Sequence, residues 1–159
     1  MKHANINILG DVYWDPSTSV NNVKLHNNVK ISKNCSIFGS EKEQLSIGAD
    51  TYIGMNTIIN GFSAKVSIGN NVSIAQNVNI MSDSGPNASL VLQKIFPIEK
   101  KEVYIGQHCW IGAGVVILPG TRLEDYCVVG ANSVVSGYFE KGSVIVGCPA
   151  RTAKVIDYV

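Results

Sequence analysis

The stretch Ile105–Gly120 reads IGQHCWIGAGVVILPG, with isoleucine at 105, 111 and 117. Helices repeat their apolar residues every three or four positions and half-buried strands every two, so a step of six fits neither. The register continues through Leu123, Val129 and Val135, and it holds upstream at Leu25, Ile31 and Ile37, at Ile47, Ile53 and Ile59, and at Ile68, Ile74 and Ile80. Position two of the hexad is often small, as at Gly48, Gly54, Gly69, Ala75, Gly106, Gly112 and Gly130. Position five is small or β-branched and includes Cys35, Cys109 and Cys127, which reads as buried filling. Asn70, Asn71 and Asp125 stand at positions three and four, where tight corners favour such residues.

These features predict a triangular solenoid. Each hexad supplies a short strand and a corner, and three hexads close a coil. Position one points to the axis and stacks on its equivalent in the next coil, about 4.8 Å away. The register breaks four times. Ten residues separate Ile37 from Ile47, nine separate Ile59 from Ile68, and ten separate Val135 from Ile145, which read as small surface loops. Twenty-five separate Ile80 from Ile105, and a long loop on a rigid scaffold often carries function.

The 159 residues therefore predict one all-β domain, a parallel β-helix with one long protruding loop. Its expected parts are an N-terminal cap over 1–22, first coils over 23–80, the loop over 81–104, further coils over 105–147 and a tail over 148–159. A formal charge of +1 gives no reason to expect nucleic acid or an anionic membrane as partner. No stretch approaches the apolar length of a membrane span. The N-terminal MKHANINILGDVYWDP shows no secretory signal, and the four cysteines are too sparse for a disulfide framework, so a cytoplasmic protein with reduced thiols is expected.

With this register, the chain resembles the left-handed parallel β-helix acyltransferases of the hexapeptide-repeat family. The segment VYIGQHCWIGAGVVILPGTRLEDYCVVGANSVVSGYFEKGSVIVGCPARTAKVI is similar throughout to the galactoside, maltose and xenobiotic O-acetyltransferases. The resemblance implies a left-handed coil, against the usual right-handed crossover. It implies a homotrimer with active sites between subunits, acetyl-CoA in the groove between two parallel helices, and no metal. The acceptor it implies is a sugar of a surface polysaccharide pathway. By the same resemblance, Gly112 and Ala113 line the thioester end, with a backbone N–H facing the acetyl carbonyl oxygen. Trp110 walls the reaction centre, and Ala131, Ser136 and Gly137 meet the pantetheine arm. Arg151 and Lys154 face the CoA phosphates. The lysine usual in the xenobiotic type is absent, and Gly137 stands in its place.

The loop departs from the family pattern. Its members use a loop histidine as general base, whereas NIMSDSGPNASLVLQKIFPIEKKEV contains none. Asp83 and Ser84 in the loop, and His108 at a corner, are the catalytic candidates. Ser82 and Asn60 are candidate acceptor contacts, Asn60 lying at a register break one coil before the loop. A carboxylic acid of ordinary pKa, about 3.9, is a poor base for a hydroxyl unless burial or a neighbouring charge raises it. The structural readings stand beside these: SDSGPN as a turn, and His108 as corner decoration. The expected function is acetyl transfer from acetyl-CoA to a sugar hydroxyl by direct attack on the thioester. The alternatives are an amino-sugar N-acetyltransferase, whose amine needs less help, and a non-catalytic scaffold. A γ-class carbonic anhydrase would need three histidines on zinc, and His3, His26 and His108 are scattered.

Overall fold

A computed structural model describes residues 3–157 and shows three sheet faces wound into a prism of parallel coils. Face one stacks Ser36–Phe38, Ile58–Asn60, Asn79–Met81, Val116–Ile117 and Val134–Val135. Face two stacks Leu45–Ile47, Val66–Ile68, Val103–Ile105, Arg122–Leu123 and Tyr138–Phe139. The long strand Ser19–His26 starts both faces, bending at Asn22, and His3–Leu9 pairs beneath it. Face three runs from Tyr13–Trp14 through Lys30–Ile31, Tyr52–Ile53, Ser73–Ile74, Trp110–Ile111 and Val128–Val129 to Ser143–Gly147.

The hexad explains the core. Ile37, Ile47, Ile53, Ile59, Ile74, Ile80, Ile105, Ile111 and Ile117 have no exposed surface. Buried polar residues at position five turn their hydroxyls onto carbonyls one coil on: Thr51 Oγ1 donates to Gly69 O at 2.9 Å and Thr57 Oγ1 to Ala75 O at 3.2 Å. Cys35, Cys109 and Cys127 occupy the same position and are buried. Burial pushes the Cys35 thiol up, and the neighbouring Cys127 thiol together with burial pushes Cys109 up, while the hydrogen bond with Cys109 draws the Cys127 thiol down; all three are buried and fill the core.

Position four makes the corner. Asn28, Asn34, Asp50, Asn56, Asn71, Asn77 and Asn132 all have φ between 55 and 60°. Asparagine and aspartate tolerate this left-handed backbone because their short side chains bond locally. His108 (φ 56°) and Tyr126 (φ 61°) occupy it too. Position two explains its glycines: a Cβ on Gly54 would lie 2.5 Å from the carbonyl carbon of Ala75 in the next coil.

Three segments differ from expectation. Residues 3–22, expected as a cap, wind into the coils themselves, with Val20 fully buried beside Ile37 and Trp14 paired to Ile31. Their register was hidden because only five residues separate Val20 from Leu25. The break between Val135 and Ile145 is a tightened corner rather than a loop. Phe139, 8% exposed and opposite Leu123, takes the inward place. In the expected tail, Ala150–Val155 pairs antiparallel with Ser143–Gly147 and closes face three.

The remaining insertions all fall at one corner, between faces one and two. The longest carries the antiparallel pair Asp83–Ser84 with Glu99–Lys100 and a short helix, Leu90–Gln93, that buries no residue. No helix among the described residues is long and apolar enough to cross a membrane.

Two substitutions test this packing by urea unfolding. Ile111→Ala is expected to cost about 2–5 kcal/mol, as for other fully buried aliphatic side chains. Gly→Ala at a compatible site stabilises by roughly 0.4–1 kcal/mol; Gly54→Ala should destabilise instead, and a wild-type midpoint would refute the close approach of the coils.

Candidate functional site at two corners

The corner between faces one and two gathers the loop chemistry. Asp83 is half-buried and both its carboxylate oxygens are engaged. Asn60 Nδ2 donates to Oδ1 at 3.3 Å, and Ser63 Oγ donates to Oδ2 at 2.5 Å. Asn60 is itself held, because its Oδ1 accepts the Phe62 N–H at 3.0 Å. Two residues chosen separately from the sequence, Asn60 and Asp83, thus form one cluster. Ser63 completes it and was missed by sequence reasoning. Its signal was the register break at GFSAK, which falls at the same corner as the long loop.

A cleft of about 830 Å³ opens beside this cluster, lined by Ser40, Lys42, Phe62, Ser63 and Lys100 among others. Lys100 is the cross-strand partner of Asp83. Ser84 is exposed and lines a separate hollow with Ile95, Phe96 and Pro97. Ser82 is corrected by the structure: it is fully buried, and its Oγ accepts the Ala64 N–H at 3.3 Å. It fastens the loop base and presents nothing to an acceptor.

The corner between faces three and one has a different character. At the corner between faces two and three, three position-three amides are capped by side chains of the next coil, while those of Asn27, Asn70 and Asp125 themselves meet no such cap among the described residues. Asn27 Oδ1 takes the Asp11 N–H, Asn70 Oδ1 takes that of Ala49, and Asp125 Oδ1 takes that of Gln107, at 2.9, 2.8 and 2.9 Å. Between faces three and one, Lys33, Met55, Gln76, Ala113 and Ala131 stand at position three, and among the described residues their amides meet no such cap. Alanine has no acceptor to offer the coil below. Gly112 is different, since its N–H donates to Val129 O at 2.9 Å. A Cβ on Gly112 would lie 2.7 Å from Ala131 N, so coil stacking alone demands a glycine there. The N–H open to a carbonyl oxygen in the WIGAG segment is therefore that of Ala113.

The other candidates divide between these corners or leave them. Trp110 projects from face three, 59% exposed, between Ser73 and Val128. Arg151 and Lys154 are exposed on the closing strand Ala150–Val155. Ser136 and Gly137 are exposed at the corner of faces one and two, on the Asp83 side. His108 stands at the third corner, between faces two and three, its ring stacked on Tyr126 at 4.9 Å. The fold therefore does not bring His108 to Asp83. Among the described residues no three His, Cys, Asp or Glu side chains group as metal ligands.

Residues 102–137 match the family model "Bacterial transferase hexapeptide (six repeats)", and residues 44–81 match "Hexapeptide repeat of succinyl-transferase". The chain is 34% identical to the galactoside O-acetyltransferase of Escherichia coli K12 over 76% of its own length, and spans 59% of that enzyme. It is 32% identical to the dTDP-4-amino-4,6-dideoxy-D-glucose acyltransferase of Escherichia coli, covering 82% of this chain and 70% of that one. In three dimensions it superposes on a mutant of AntD, an N-acyltransferase from Bacillus cereus solved with dTDP-4-amino-4,6-dideoxyglucose and coenzyme A. That match has a TM-score of 0.79 and covers 94% of this chain and 84% of AntD; at 22% identity the likeness is one of fold. The repeat, the coil geometry and these relatives together place the chain in the hexapeptide-repeat acyltransferase family.

Proposed function

We propose that this protein transfers an acetyl group from acetyl-CoA to a sugar, the acceptor attacking the thioester directly. The observation that carries the reading is the pairing of a row of uncapped amides at one corner with an oriented carboxylate at another. The amides of Ala113 and Ala131 suit the carbonyls of a thioester and a pantetheine arm. Arg151 and Lys154 lie on the strand that closes the same face and supply cations for phosphates. As the acceptor forms its bond to the acetyl carbon, negative charge collects on the carbonyl oxygen. The Ala113 N–H stabilises that charge. Collapse breaks the C–S bond, and the CoA sulfur leaves as thiolate.

A sugar hydroxyl is the acceptor implied by the resemblance. The Asp83 cluster favours a second reading, an amino sugar. A carboxylate is too weak a base to strip a hydroxyl proton well. It is a good partner for an ammonium group, which gives one proton to water to become the attacking amine, and it can take the second proton that the nitrogen sheds as the amide forms. The named activity of the dideoxy-aminoglucose acyltransferase relative supports this reading.

The two corners lie at opposite edges of face one, so a single chain does not bring them together. Outward residues of that face include Ile58, Met81, Val116, Leu118 and Val134, and the long loop exposes Leu90, Val91, Ile95 and Phe96. Apolar surface of this kind suits burial against further copies. A closed homotrimer would set the Asp83 corner of one copy beside the Ala113 corner of the next.

Three measurements test the reading. Asp83→Asn is expected to fold, bind acetyl-CoA and lose about 10²–10⁴ in kcat on amino sugars; retained turnover refutes the role. Arg151→Glu should weaken acetyl-CoA by roughly ten- to a hundred-fold in calorimetric titration, the loss expected for a charged hydrogen bond; wild-type affinity would move the cofactor elsewhere. At an acetyl-CoA concentration too low to fill the Arg151→Glu site, co-expressing Asp83→Asn with Arg151→Glu should restore about a quarter of wild-type turnover if adjacent copies share each site, and no recovery would mean that each chain works alone.

A further inference from the structure

We propose that face two carries a second binding site, a trough for a neutral oligosaccharide, separate from both corners described above. The trough holds about 380 Å³ and is lined by His26, Ser46, Ser67, Asn70, Tyr104 and Gln107, with Gly48 and Gly69 among its other lining residues. Its outward row, Ser46, Ser67 and Tyr104, is stacked by the parallel register, so these groups stand about 4.8 Å apart along the axis. The glycines leave a hollow beside that row because the next coil admits no side chain there: a Cβ on Gly48 would lie 2.4 Å from the carbonyl carbon of Gly69.

Tyr104 is a prepared stacking surface. The Arg122 guanidinium lies 4.1 Å over one face of its ring, and Glu124 holds Arg122 through Nε at 2.6 Å. On the other side the register offers only Ser67, which is too short to cover an aromatic ring. The ring is thus clamped from one side and open to the trough on the other. The stacked rings of His108 and Tyr126, with planes 2° apart, stiffen the adjoining corner beside Gln107 and Asp125.

The lining chemistry indicates what fits. No lysine or arginine is among the trough's lining residues; Lys24 and Arg122 stand at the two ends of its outward row, next to Ser46 and Tyr104, and Arg122 is held by Glu124. The Asp125 carboxylate is already taken by Gln107, through its N–H at 2.9 Å and its Nε2 at 3.3 Å. The side chains of Ser46, Ser67 and His26 enter no hydrogen bond among the described residues. An uncharged ligand that pairs an apolar face with many hydroxyls satisfies both an open aromatic ring and free polar groups, and a pyranose does so. The trough draws on several successive coils, which favours a chain of sugars over a single ring.

The test is saturation-transfer NMR and titration with maltotetraose, cellotetraose and chitotetraose. At least one should bind at millimolar concentration. Tyr104→Ala and Ser67→Arg should each weaken it about five-fold or more, by loss of stacking and by filling the trough. Asp83→Asn should leave it unchanged, as should each trough variant the affinity for acetyl-CoA. Binding that survives both trough substitutions, binding that Asp83→Asn abolishes, or no binding by any of the three sugars overturns the proposal.

Discussion

The structure depends on one repeated constraint: each coil must climb a single ladder step and then turn through a left-handed residue at position four. The backbone N–H at that position bonds the position-three carbonyl of the coil below, as Asn71 does with Ala49, Asn77 with Met55 and Asn132 with Ala113. An insertion at those two corners would break the bond and the turn together. The corner between faces one and two is freer, and the extra residues collect there. His108 and Tyr126 show how firmly the turn is held. A left-handed backbone costs such side chains roughly 1–2 kcal/mol each. Stacking of their rings, about 0.5–1.5 kcal/mol, offsets only part of that.

This constraint also explains which parts of the molecule were legible in its sequence. A core column filled at every sixth position by Leu, Ile or Val can be read directly, and the buried isoleucines follow it. The register failed to show where a corner was shortened, at Val20 to Leu25 and at Val135 to Phe139. A phenylalanine filling an aliphatic position breaks the pattern to the eye and keeps it in space. The site was less legible. Ser63 lies twenty residues from Asp83 and meets it only because two insertions leave the prism at the same corner. Ser82, next to Asp83 in sequence, faces the opposite way and is buried.

The same accounting separates Gly112 from Ala113. Both belong to a motif that the family resemblance marks as a cofactor contact. The ladder consumes the Gly112 amide, and the absence of an acceptor on Ala131 spares that of Ala113. A donor left over by a rigid scaffold is already oriented before any ligand arrives, and it loses no hydrogen bond to protein when it turns to a developing oxyanion. Where asparagine or aspartate fills position three of the next coil, as Asn70 does above Ala49 and Asp125 above Gln107, the amide below it is occupied and closed to a ligand's carbonyl.

Asp83 is held from two sides. Ser63 and Asn60 each use one donor on a different carboxylate oxygen, and the antiparallel pair with Lys100 fixes the backbone that carries it. One lone pair on each oxygen remains for a third partner, in a position set by side chains from two coils. The carboxylate can hold an ammonium group by charge, whereas it takes a hydroxyl proton poorly. The long loop contains no histidine, so this carboxylate is the oriented charged group at that corner.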